Sequence, residues 1–84
     1  MVIHHIKAFY EDLSQYDKMT SYGVPDYNTI YINENLPIEQ LPLEIGHEVA
    51  HLHFGGQIKH SCIDSFLIDY LDALQQLGFE VRKI

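Results

Sequence analysis

The 84-residue chain has no tryptophan, one cysteine, three prolines, five glycines and only five basic residues. Each shortage excludes something. The single thiol, Cys62, cannot close an internal disulfide, so a disulfide scaffold is ruled out and a reducing compartment is expected. Few prolines and glycines, with 46% hydrophobic and 12% aromatic residues, are incompatible with a collagen-like or disordered chain and describe a globular one. Twelve acidic residues against five basic ones leave a formal charge of −7, which repels phosphate backbones and anionic headgroups, so neither nucleic acid nor a membrane surface is an expected partner. No apolar run approaches the length of a membrane span, and "MVIHHIK" lacks the apolar stretch of a signal peptide, which makes the cytoplasm the expected location.

A chain of this length forms one domain, residues 1–84, and buries only about 60% of the surface its unfolded form exposes. A bound metal ion would help such a thin core. From Ile3 to Asp17 the apolar residues Ile3, Ile6, Phe9, Tyr10, Leu13 and Tyr16 recur every three or four positions, which predicts an amphipathic helix, although "VIHHI" also suits the start of a strand. "MTSYGV" and "TIYIN" flank "PDYN", so Met19 to Asn33 reads as a β-hairpin. Pro37 and Pro42 each suit a first helical position, predicting one helical turn and then a new helix that stops at Gly55 and Gly56. A last helix is expected from Ser61 to just before Gly78, with "FEVRKI" as a short edge strand. The fold class is therefore α+β: an N-terminal helix, a hairpin, and two further helices.

The helix "LEIGHEVAHLHFGG" carries His47, Glu48 and His51 among residues that leave almost no polar face. Burying three unpaired ionisable groups would cost several kcal/mol, a cost that a shared ion removes. At about 100° per residue, His51 lies only about 40° around the helix from His47 and about 6 Å along it, so both imidazoles leave one face a turn apart. Neutral imidazole is a good ligand for Zn2+, and the bound ion lowers the pKa of water to about 7. Glu48, beside the histidine pair, is placed to accept that water's proton during attack on a peptide carbonyl and to return it to the leaving amine. This is the H-E-x-x-H arrangement of zinc peptidases. His53 lies on the far side of the helix and is not expected to be a ligand. The metzincin pattern would need a third histidine at residue 57, which is Gln57. Tyr22, Tyr27, His60 and Tyr70 remain open as further oxyanion donors, and His4 and His5 read as solvated terminal histidines.

Over "NTIYINENLPIEQLPLEIGHEVAHLHF", Asn28 to Phe54, the chain resembles the ImmA/IrrE family of small metallopeptidases. The resemblance implies a minimal zincin-like domain in which His47 and His51 are zinc ligands, Glu48 is the catalytic base, and a carboxylate from the following helix is the third ligand. It also implies an endopeptidase, with helix-turn-helix repressors of phage-like or stress-response genes as a possible protein substrate. This chain offers aspartate on its last helix where the family usually has glutamate. With Ile63 set to zero, the apolar stripe of that helix spans about 300° to 80°, and Asp64 falls at about 100°, Asp69 at about 240° and Asp72 at about 180°. Asp64 therefore ranks first as third ligand, with Asp69 and His60 as alternatives. Ser61 and Asp64 also have the spacing of a capping box. Substrate is expected to lie extended along Ile30, Tyr31 and Ile32, if the strand before the motif is an unpaired edge. The alternative to an enzyme is a metal-stabilised interaction module that binds a regulator protein without cutting it.

Overall fold

A computed structural model describes residues 4–16 and 19–82. Three strands, β1 (Lys7–Glu11), β2 (Ser21–Val24) and β3 (Thr29–Asn33), form one sheet in the order β1-β3-β2. Two helices follow, α1 (Leu41–Phe54) and α2 (His60–Gln76).

The hairpin forms as the sequence implies. Pro25 opens a single 3-10 turn, Pro25–Tyr27, and Asn28, at φ 49°, takes the left-handed conformation that this residue type tolerates better than most. β2 then pairs antiparallel to β3, Ser21 opposite Ile32 and Gly23 opposite Ile30. Because side chains alternate along a strand, Ser21 and Gly23 share the face of Ile30 and Ile32, while Tyr22 lies on the other face with Tyr31. A stack of Phe9, Tyr31 and Tyr22 crosses that second face, with centroids 5.7 and 4.8 Å apart.

The predicted N-terminal helix is not there. Lys7–Glu11 is a strand, parallel to β3 with Phe9 opposite Tyr31. The reason is tertiary: Thr29, Ile30 and Ile32 are buried, and a strand so buried needs hydrogen-bonding neighbours on both sides. The residues behind the three-four spacing divide between the strand and the segment after it, where Leu13 turns fully into the core and Tyr16 stays exposed. Ile3 and Asp17, the ends of the expected helix, lie outside the described residues.

The consequence reaches the substrate expectation. With β1 on one side and β2 on the other, β3 is the central strand, and Ile30 and Ile32 are 0% and 2% exposed. Ile30, Tyr31 and Ile32 therefore present no free edge to a peptide. The edges of the sheet are β1 and β2.

α1 lays Ile45, Val49 and Leu52, with its own Leu41, over Ile30 and Ile32, the main cluster of the core. A 3-10 turn, Ile38–Gln40, precedes α1, and Pro42 sits in its first turn, where a missing N–H costs nothing. At the other end Gly55 adopts φ 67°, ψ −165°, a conformation open in practice to glycine alone, and turns the chain toward α2. α2 buries Ile63 and crosses α1 at Gly46, where a Cβ would stand 2.6 Å from Leu67 Cδ2. The absent side chain is what lets the two helices approach so closely. α2 starts at His60 with Lys59 as its cap and no side-chain capping bond, so the Ser61–Asp64 capping box does not form. Phe79 to Arg82 carry no strand, contrary to the expectation for "FEVRKI", whose last two residues lie outside the described set. Among the described residues, no helix is long and apolar enough to cross a membrane.

Candidate metal centre

α1 brings His47 and His51 together one turn apart, as its periodicity requires, with ring centroids 4.6 Å apart and Nε2 atoms 3.0 Å apart. The other nitrogen of each ring fixes its tautomer. His51 Nδ1 lies 3.0 Å from the carbonyl oxygen of Gly55, which can only accept, so Nδ1 carries the proton. His47 Nδ1 lies 3.1 Å from Asp64 Oδ1, and a carboxylate likewise accepts. In the neutral rings both Nε2 lone pairs then face each other at hydrogen-bond distance. A shared proton or a metal ion between them satisfies both. The donor set therefore fits a metal ion, with the outer nitrogens tied down as is usual for metal-bound histidine.

The third nitrogen comes from His60, at the first position of α2. Its ring centroid is 4.7 Å from that of His47 and 4.9 Å from that of His51, and one ring nitrogen from each of the three lies within 4.8 Å of the others. Three imidazoles suit Zn2+, which takes nitrogen at about 2.0–2.1 Å and leaves a fourth position open in catalytic sites. Asp64, ranked first by helix geometry, is close to the centre but reaches it through His47. Its carboxylate accepts from that ring and orients it. Asp69 does not join the cluster.

The same helical projection that favoured Asp64 places His60 at about 60°, inside the apolar stripe of α2. Starting the helix one residue late, at Ser61, hid that position. Gly46 supplies the other half of the explanation, because the close crossing it allows brings the start of α2 to the histidine face of α1.

Glu48 is 8% exposed and accepts a 2.7 Å hydrogen bond at Oε2 from the Ser21 hydroxyl. Ser21 and Thr20 also reach Glu44 Oε2, at 2.9 and 3.1 Å. Neither hydroxyl carries a sequence signal, since each enters the site only through the pairing of β2. His47, Glu48, His60, Asp64, Ser21 and Glu44 line one open groove of about 580 Å³. His53 is exposed and outside the cluster, as its angle on the helix implies, and His4 and His5 are exposed at the far end of β1. Of the tyrosines, Tyr22 donates from its hydroxyl to Glu11 on the outer face of the sheet, Tyr27 is 75% exposed in the hairpin turn, and Tyr70 stands against Phe66 on α2. None of them lines the groove.

A small α+β domain with H-E-x-x-H on one helix and a third imidazole from the next belongs to the zincin-like class. Residues 3–81 match the family described as IrrE N-terminal-like domain, peptidase M78. The match spans nearly the whole chain, which belongs to this metallopeptidase-type family and bears out the resemblance to ImmA/IrrE proteins. No curated protein and no solved structure matches the chain significantly.

Proposed function

We propose that this protein is a zinc-dependent endopeptidase in which His47, His51 and His60 hold the ion and Glu48 is the general base. The observation that carries the reading is the pair of facing Nε2 atoms, 3.0 Å apart and joined by a third imidazole, beside a buried carboxylate. When bound, the ion supplies Lewis acidity, which makes water acidic enough to ionise near neutral pH.

The remaining steps belong to the chain's own residues. Glu48 takes the proton of the attacking water and delivers it to the leaving amine. Gly55 and Asp64 hold the two α1 imidazoles in the tautomer that turns Nε2 inward. Substrate adds as an extended strand to β2, the edge nearest the site, because Ser21 on that strand touches Glu48 directly. A helix-turn-helix repressor is the substrate class that the family resemblance supports.

Protein purified without nickel resin should contain one zinc per chain and cut either a candidate repressor or a random-peptide pool, with cleavage lost to chelator and restored by zinc. A zinc-loaded chain that binds a repressor and leaves it intact would mark an interaction module in place of a peptidase.

A further inference from the structure

A carboxylate that must accept a proton at one oxygen has three side-chain torsions to lose, and a helix alone fixes none of them. Glu48 is held from the neighbouring sheet. Ser21 Oγ lies 2.7 Å from Oε2, and the hydroxyl has a single proton to give. Its second carboxylate contact, Glu44 Oε2 at 2.9 Å, is longer, and Glu44 has the Thr20 hydroxyl as another donor. The Ser21 proton is therefore assigned to Glu48, in a charge-assisted bond of the stronger kind.

The other oxygen is left free. No hydrogen bond from the described residues reaches Glu48 Oε1, and none of their buried side-chain oxygens or nitrogens lacks a partner, so Oε1 is not fully buried. It lies beneath Gly23, where a Cβ would stand 3.4 Å away. The helix-facing side of β2 thus carries two small residues in succession, one that grips Oε2 and one that leaves room beside Oε1.

We propose that Ser21 is the positioning residue of the general base: it occupies Oε2 of Glu48 and so presents Oε1 to the reacting water. This rests on the peptidase reading, since it assigns a role within that reaction. Ser21 touches no ligand nitrogen, so its role is separable from metal binding.

Two measurements test it, one of them independent of zinc and of turnover. In metal-free protein labelled with 13C at glutamate Cδ, the resonance that Glu48→Gln removes should move in Ser21→Ala and return in Ser21→Thr, which restores the hydroxyl. In the zinc-loaded enzyme, Ser21→Ala should lower kcat roughly ten- to hundredfold with KM within about twofold, as expected when a reacting group loses its orientation. Zinc affinity should be unchanged by chelator competition, and Ser21→Thr should recover most of kcat. Ser21→Cys keeps the shape with a weak donor and should resemble Ala, which covers the case of an alanine variant that folds poorly. An unmoved Glu48 resonance, or kcat equal to wild type in both Ala and Cys variants, would overturn the proposal and leave the peptidase reading standing. A resonance that moves in Ser21→Ala, together with a wild-type protein that cuts no peptide, would overturn the peptidase reading, and the positioning role with it, while the Ser21–Glu48 bond stood. Loss of zinc from Ser21→Ala would show a structural role and also overturn the proposal.

Discussion

Replacing His60 by alanine should damage the metal centre far more than replacing Asp64 by asparagine. A structural zinc site with four protein ligands is worth about 10–16 kcal/mol, or about 3 kcal/mol per ligand, so removing one of three nitrogens should weaken zinc binding roughly a hundredfold or more. Asp64 contacts His47 Nδ1, 3.1 Å away, and asparagine retains a side-chain oxygen that can accept the same hydrogen bond. The loss there is the charge and part of the orientation, about tenfold, at the lower end for partners of metal-bound histidine. Neither residue is buried, so both variants should stay within about 0.5 kcal/mol of wild-type stability in the metal-free state. Competition against a chromophoric chelator measures both affinities, and denaturant melts of metal-free protein supply the control. If Asp64→Asn lost as much zinc affinity as His60→Ala, or more, the carboxylate would be the ligand and the tautomer argument would fail.

Gly46→Val should cost about 1–3 kcal/mol, because its side chain enters the space of Leu67 and forces α2 outward, and zinc affinity should fall with it as His60 is carried away; unchanged affinity would mean that the helix crossing does not set the site. Gly55→Ala should cost about 1–3 kcal/mol in thermal or denaturant melts, since alanine resists φ 67°, ψ −165°, and should weaken zinc binding through the displaced carbonyl at His51. Desolvation, and after it the hydrogen bond to the Glu11 carboxylate, raises the Tyr22 phenol above its usual pKa of 10.0. A raised pKa favours the protonated form, so in a spectrophotometric titration Tyr22 should ionise above the ordinary phenol range, and Glu11→Gln should move it back toward that range.

The hairpin, the single turn before Pro42 and both helices were legible because each is decided locally: turn chemistry at "PDYN", prolines in first turns, and a glycine at the end of α1. The strand at Lys7–Glu11 was not, because its conformation is settled by the needs of β3, more than twenty positions along the chain. That one strand also converted β3 from an edge into the centre of the sheet and left β1 and β2 as its edges. In the site, His47, Glu48 and His51 could be read from helical period alone. His60 needed two facts together, the start of α2 and the bare crossing at Gly46, of which only the second depends on packing. Ser21 is a single hydroxyl on a short strand, and nothing in its sequence neighbourhood marks it.

The central claim is that one ion held by imidazoles and one carboxylate base together hydrolyse a peptide bond. Glu48→Gln tests it most directly, with zinc content and cleavage measured on the same preparation. The amide cannot accept the water's proton, while the three imidazoles are untouched. The variant should therefore retain one zinc per chain and lose about 10²- to 10⁴-fold in kcat. A variant that lost its zinc would make Glu48 a ligand, and one that cut as fast as wild type would place the base elsewhere; either result contradicts the account.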